Sequence, residues 1–225
     1  MKPYFAMALV AAALSQSAFS QSTLSQNEQS SADEQMSLQQ LMRQWAHVNY
    51  ELKGDDQEDA FAELAKSAQT YRQAHPDEAE GHIWSGIIHS SYAGAKGGLG
   101  ALGLAKEAKK DFEMAMRING QALQGSAYTS LGTLYAQVPG WPIGFGDDEK
   151  AQELFKKSLA INPDGIDINY FYAQFLYDER KYKQAKAHLL RAQAAAPRAE
   201  RPLADKYRQQ EVAQLLAKVE RKLKR

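Results

Sequence analysis

The most suggestive chemical motif in the sequence is a run of glycines in the first half of the chain. Gly98, Gly100 and Gly103 fit the pattern G-x-G-x-x-G, which cradles dinucleotide phosphates when it joins a strand to a helix. No strand signal precedes the motif, and Asp111 and Glu113 come too early to be the acidic residue expected about 20 positions further on. The motif therefore does not predict a dinucleotide site.

Histidine is the second residue type that could do chemistry. His82 and His89 can share a helix face, and with Trp84 and Tyr92 they could line a pocket. Two ordinary histidines at the edge of a packed helix are the simpler interpretation, because metal sites usually need more ligands. The sequence has no H-E-x-x-H, no G-x-S-x-G and no cysteine. We expect no catalytic residues, no metal site, no cofactor and no enzymatic activity.

The elements that carry these residues have helical spacing almost throughout, from residue 36 onward. Pro163 and Pro197 are 34 residues apart, and residues of similar size precede both prolines at matching offsets. Ala151, Phe155 and Ser158 precede Pro163 as Ala185, Leu189 and Ala192 precede Pro197, and Ala173, Leu176 and Tyr182 lie further upstream of Pro197.

This pattern resembles the tetratricopeptide repeat, a helix-turn-helix unit of about 34 residues. The resemblance covers residues 36–199 and implies an all-α fold, an α-solenoid of TPR-like helical hairpins with a concave surface. Residues 203–224 form an amphipathic pattern that we interpret as a C-terminal capping helix. A basic amphipathic helix on a membrane surface is the alternative.

Two repeats are longer than the pattern requires. Ten additional residues, rich in glycine, predict an insertion near 91–104, at the tip of one hairpin. A second insertion is predicted near 138–147, where prolines and glycines forbid a helix.

Side chains from the two insertions are our first candidates for partner or ligand binding. Trp141 and Phe145 lie on the second insertion, which either packs as a plug or binds something. Tyr92 and Lys96 lie in the first insertion. We expect the two insertions to shape one surface.

A further resemblance begins within the second insertion. Gly144-Phe145-Gly146-Asp147, followed by Lys150-Ala151, is similar to part of the T-component protein associated with TRAP transporters. The resemblance implies a repeat body that oligomerises and cooperates with a periplasmic solute-binding protein. That family is usually lipid-anchored, whereas this chain has no cysteine for such an anchor.

The aromatic run 169–177 supplies the remaining candidates. Tyr170, Gln174 and Tyr177 fall where such repeats present their concave face, and tyrosine combines contact area with a hydrogen-bonding tip. Simple core packing explains Phe171 and Phe175 equally well.

The N-terminal segment predicts export. Residues 1–20 read as a signal peptide cleaved near Ser20, since the apolar stretch from Pro3 to Leu14 is shorter than the roughly 20 residues of a membrane span. Residues 21–35 are predicted to be a disordered tether, and residues 36–225 form the repeat domain. We therefore expect a periplasmic or secreted protein without stable membrane insertion.

Charge is distributed unevenly along the chain. Residues 21–80 hold four basic and twelve acidic residues, whereas residues 179–225 hold fourteen basic and five acidic residues. Such ends could stack head to tail, so oligomerisation is possible, or they could contact different partners. An export signal makes nucleic acid an unexpected partner.

These features together predict a function that rests on binding. We expect a non-catalytic exported scaffold or adaptor that binds another exported protein or peptide. The alternative is a small-molecule-binding accessory subunit of a periplasmic solute uptake system, with its pocket between the two insertions.

Overall fold

The computed structural model describes residues 36–224, except for the side chain of Leu99. The predicted signal peptide (1–20) and tether (21–35) lie outside the described residues. Within them, the chain forms nine α-helices and one isolated bridge between Gly140 and Gly146. The helices are α1 (Leu38–Glu51), α2 (Gly54–Ala74), α3 (Ala79–Lys96), α4 (Gly98–Asn119), α5 (Ala122–Gln137), α6 (Asp148–Ile161), α7 (Ile166–Asp178), α8 (Tyr182–Ala194) and α9 (Pro202–Leu223).

The helices pack as sequential hairpins, which confirms the predicted all-α fold. α1 pairs with α2, α3 with α4, α5 with α6 and α7 with α8, and α9 packs on α8. The first helices of successive hairpins also contact one another, from α1 to α3, α5, α7 and α9. Short connections make neighbouring helices antiparallel, so these first helices run in the same direction.

Local sequence determines where several helices begin. Ser37 caps α1 through a capping box, in which its side chain accepts from the backbone of Gln40 and the Gln40 side chain accepts from the backbone of Ser37. Asp147 caps α6 by accepting from the Lys150 amide at 2.9 Å.

Large side chains fill the space between the two helices of a hairpin where the opposing residue is small. Phe112 of α4 is fully buried against Gly86 of α3, and Phe155 of α6 is buried against Gly132 of α5. Each close approach places an aromatic ring over a bare backbone, which fixes the two helices of a hairpin at short distance.

The expected insertion near 91–104 is helical. α3 runs to Lys96 and α4 begins at Gly98, so only Gly97, with a φ of 62°, separates them. A left-handed φ of this kind favours glycine. The additional residues therefore lengthen two helices, and Gly98, Gly100 and Gly103 occupy the first turns of α4. Helix α3 precedes them, so the strand of a dinucleotide-binding unit is missing at this place.

Helix α9 joins the end of the described chain to its beginning. Val212, Leu215 and Val219 are buried in one core cluster with Leu189 and Ala192 of α8. This is the predicted capping role, and it uses the apolar face that a membrane surface would need. α9 also reaches α1, where the rings of Tyr50 and Tyr207 stack 4.7 Å apart. Between residues 36 and 224, no helix is both long and apolar enough to cross a membrane.

Candidate binding surface

The inner side of the array is lined by the first helices, and the start of α9 lies against it. The Arg201 guanidinium is 5.8 Å from the ring of Trp45 in α1 and 5.1 Å from the ring of Trp84 in α3. The Arg208 guanidinium is 4.5 Å from the ring centre of Tyr170 in α7. Such distances allow cation–π attraction. The protein's own C-terminal helix thus occupies this part of the inner face.

Asp167 at the start of α7 is the centre of an arginine cluster, defined as Asp167 with Arg198, Arg201 and Arg208. Its carboxylate accepts from Arg198 Nη1 at 2.7 Å, Arg208 Nε at 2.9 Å and Arg201 Nη1 at 3.4 Å. Burial alone would raise the pKa of Asp167, but the three guanidinium groups outweigh it and hold this pKa well below its usual range.

The charges around this cluster are balanced, which indicates a structural role. Arg198 also donates to Asp205 at 2.9 Å, and Arg208 donates to Glu211. Three guanidinium groups therefore face three carboxylates, which leaves no excess positive charge to attract an anionic ligand. Burial beside this cluster raises the pKa of Tyr50 in α1 to about 12.

A small cleft remains open on the inner face between α5 and α7. It has a volume of about 210 Å³, and its lining includes Thr133, Gln137, Phe171, Gln174 and Asp178. Gln174 donates to the Asp178 carboxylate at 3.1 Å and 3.2 Å. Ligand pockets usually have volumes of about 300–1,000 Å³, so this cleft is smaller than a typical small-molecule site.

The loop from Val138 to Asp147 carries the most exposed apolar side chains of the described chain. Trp141 is 90% exposed and Ile143 is 71% exposed. The backbone is nevertheless fixed, because the Gly146 amide donates to Pro139 O at 3.0 Å and the Asp147 amide donates to Tyr135 O at 3.0 Å. A Cβ atom at Gly146 would overlap the carbonyl oxygen of Val138, so this close approach requires glycine.

Phe145 anchors the same loop to the helices beneath it. Its ring contacts the edge of Tyr135 at 5.6 Å, and Lys109 of α4 lies 5.8 Å from its centre. The loop is therefore partly packed and partly exposed. Phe145 is packed, whereas Trp141 projects into solvent.

The other predicted binding residues lie in different places. Lys96 donates to Glu58 of α2 at 2.5 Å and lies 5.5 Å from the Tyr92 ring, so the first insertion faces α2. The Tyr177 ring packs beside Tyr182, 5.5 Å away. Phe145, in contrast, faces α4 and α5. The two insertions are therefore tied to different neighbours, and the described contacts do not bring them together in one site.

His82 and His89 belong to a buried network around Asp111 of α4. Asp111 is 2% exposed, pairs with Arg72 of α2 and accepts from Ser85 Oγ at 2.7 Å. His89 Nδ1 lies 3.3 Å from the same carboxylate, and His82 Nε2 lies 2.9 Å from the carbonyl oxygen of Pro76. Among residues 36–224, no group of three or more His, Asp or Glu side chains is arranged to hold a metal ion. The network fits the simpler interpretation of packed structural histidines.

Comparison with known proteins supports the fold. The tetratricopeptide-repeat family model matches residues 143–219. The crystal structure of a thermophilic TPR protein from Thermus thermophilus aligns with a TM-score of 0.53 and 19% identity, over 68% of this chain and 72% of that chain. The fold is that of a tetratricopeptide-repeat protein. Among functionally curated proteins, none matches the sequence significantly.

Tetratricopeptide-repeat arrays generally use the concave surface for binding. In this array, α9 covers the part of that surface formed by α1, α3 and the start of α7. Tyr170, a predicted concave-face residue, lies against Arg208 and would be free for a partner only if α9 moved away. The loop from Val138 to Asp147, called the Trp141 loop from here on, lies outside the surface that α9 covers. It is therefore the most accessible of the predicted binding elements.

The arginine cluster was not predicted from the sequence. One local sign was present, because Arg201 and Arg208 are seven residues apart and so share a helix face. The partner Asp167 lies more than thirty positions earlier, where no periodicity connects it to them.

Proposed function

We propose that this tetratricopeptide-repeat protein is an exported, non-catalytic scaffold or adaptor that binds another exported protein or peptide through the Trp141 loop. The observation that supports this proposal is the 90% exposure of Trp141 on a loop whose backbone is held by hydrogen bonds. Tryptophan is enriched among the residues that dominate protein–protein binding energies.

The fixed backbone also favours binding by this loop. Ordering a flexible loop on binding costs conformational entropy and lowers affinity. This loop is already ordered in the free protein, so binding does not require that cost. Pro139 and Pro142 fix two φ angles within the segment and so reduce its alternative conformations. A tryptophan presented in this way suits insertion into an apolar pocket of a partner.

Site-specific photo-crosslinking in the native cell tests the proposal. A photoreactive amino acid at position 141 should give a covalent adduct with a second polypeptide. The same amino acid at position 190 should give none, since Leu190 is also exposed, at 47%, but lies on α8 away from the loop. Equal adducts at both positions, or no adduct at position 141, would contradict the proposal.

Export is a separate part of the proposal and has its own test. The N-terminus of the protein recovered from a periplasmic or secreted fraction should be Gln21. Leu9→Arg interrupts the apolar stretch and should cause the uncleaved protein to accumulate in the cytoplasm. An uncleaved wild-type N-terminus would argue against export by this route.

The alternative function, a small-molecule-binding subunit in periplasmic solute uptake, stays a prediction. The cleft between α5 and α7 is small, and the described contacts do not join the two insertions. Thermal-shift screening with organic acids and other small solutes would favour this alternative if one of them raised the melting temperature.

A further inference from the structure

We propose that the Trp141 loop binds a second copy of this chain, which accepts Trp141 and Ile143 in an apolar cleft beside the start of α9. This inference rests on the proposed function of the loop as a binding element. It names the partner and the site that receives the loop.

The receiving cleft has suitable size and chemistry. It has a volume of about 520 Å³, within the range of about 300–1,000 Å³ that is usual for ligand sites. Its lining is dominated by alanine, proline and isoleucine, and Ala196, Pro197 and Pro202 are exposed. The residues of this lining are Ile166, Ala195, Ala196, Pro197, Arg198, Ala199, Pro202, Asp205, Lys206 and Gln209.

Charge is complementary between the loop and the cleft. The exposed residues Asp148 and Glu149 follow the loop directly, whereas Lys206 is exposed at the rim of the cleft. The two other charged lining residues, Arg198 and Asp205, are bonded to each other. The rim therefore offers a cation to the acidic side of the loop, in a C-terminal region that is strongly basic.

The geometry prevents the loop from filling the cleft of its own chain. The loop follows the C-terminal end of α5, whereas the cleft includes Ile166 at the N-terminal end of α7. α5 and α7 run in the same direction as neighbouring first helices. The loop and the cleft are therefore about one helix length apart, roughly 20 Å for the thirteen residues of α7. A second molecule must supply the contact.

Because the loop and the cleft are different surfaces, the contact is head to tail. Such contacts build rings or open chains of molecules, in contrast to a symmetric dimer. One loop in one cleft buries less than the roughly 1,200–2,000 Å² of a standard interface, so we expect weak association, with a dissociation constant in the micromolar range or above.

Sedimentation velocity with complementary variants tests the proposal. The wild-type protein should associate as its concentration rises from about 1 to 300 µM. Trp141→Ala with Ile143→Ala removes the loop contact, and Ala196→Glu blocks the cleft with a like charge. Each variant alone should be monomeric. Truncating such an aromatic anchor should weaken association by at least about 30-fold.

Mixing the two variants gives the decisive measurement. The first variant keeps an intact cleft and the second keeps an intact loop, so an equimolar mixture should form a two-chain complex that grows no further. Leu190→Ala, at an exposed apolar position on α8, should associate like the wild type. Circular dichroism checks that every variant is folded, as expected for substitutions at exposed positions.

The outcomes separate this inference from the proposed function. A wild-type protein that stays monomeric at about 300 µM, a loop variant that still associates, or a mixture that stays monomeric would overturn the inference. If position 141 nevertheless crosslinks to a different protein, the scaffold function stands and only the second-copy partner is wrong.

Discussion

Two carboxylates connect different parts of the array, the buried Asp111 and the partly exposed Asp167. Asp111 and Asp167 each lie in a setting that would raise the pKa of an isolated carboxyl group. For Asp111, hydrogen bonds from His89 and Ser85 and the charge of Arg72 outweigh burial and lower the pKa. Both residues are therefore ionised in the folded protein, where each joins helices from different hairpins.

The low pKa of Asp167 leads to a pH prediction. The unfolded pKa of an aspartate is about 3.9, and the folded pKa of Asp167 lies below it. Ionised Asp167 therefore stabilises the folded protein fully above about pH 4, and this stability is lost as the pH falls toward the folded pKa. The wild-type free energy of unfolding should therefore decrease below about pH 4. Asp167→Asn should lower it by roughly 3 kcal/mol at pH 7, because Arg198 and Arg208 lose a charged partner. Its pH profile below pH 4 should also be shallower.

Urea denaturation across a pH series measures both effects. Asp164→Asn, at an exposed position in the turn before α7, is the control. It should change the free energy of unfolding by less than about 0.5 kcal/mol. An Asp167→Asn protein as stable as the control would show that the arginine cluster contributes nothing to stability.

At the scale of the helix, α3 offers a matched pair of glycines. A Cβ atom at Gly86 would lie 2.5 Å from Cε1 of Phe112, whereas a Cβ atom at Gly94 would meet nothing within 4 Å. Gly86→Ala should therefore destabilise the protein by about 1–3 kcal/mol through overpacking. Gly94→Ala should stabilise it by about 0.5–1 kcal/mol, because alanine favours a helix more than glycine does. Thermal denaturation measures the melting temperature of both variants. Equal shifts for Gly86→Ala and Gly94→Ala would show that the packing of Phe112 on Gly86 is unimportant.

The helices and their repeat could be predicted from the sequence, because the 34-residue period reports which residues are buried between hairpins. The structure of the insertion near 91–104 was harder to predict. Glycines there suggested a break, yet Ala101, Leu102, Leu104 and Ala105 continue the helical pattern, and the turn needs only Gly97 and Gly98, which both have a positive φ. The loop near 138–147 was predicted, because its prolines cannot be accommodated in a helix.

At the scale of the whole molecule, the contact between α1 and α9 could not be predicted from the sequence. A repeat pattern describes neighbours, and it predicts an array with two free ends. Tyr50 and Tyr207 are far apart in the chain, and each is an ordinary helical residue in its own segment. Only the accumulated rotation of all the hairpins brings them together. The opposite charges of the two ends agree with this contact but were compatible with several other arrangements.

A double-mutant cycle tests this contact. Tyr50 and Tyr207 stack with ring planes 4° apart, so their coupling should be about 0.5–1.5 kcal/mol. Tyr50→Ala, Tyr207→Ala and the double variant are compared by urea denaturation. Tyr50→Ala with Tyr128→Ala, a tyrosine of α5, serves as the control pair and should be additive. A coupling of zero for Tyr50 and Tyr207 would show that α1 and α9 do not act together.

The contact between Tyr50 and Tyr207 also determines how late in its synthesis the protein can complete its folding. Residues 50 and 207 are separated by 157 positions. At a synthesis rate of about 5–20 residues per second, roughly 8 to 30 s pass between their appearance. Throughout that interval Trp45, Trp84 and Tyr50 lack the helix that covers them. Each hairpin can form on its predecessor as it is made, but the hairpin of α1 and α2 is completed only by α9, which is synthesised after α1 to α8.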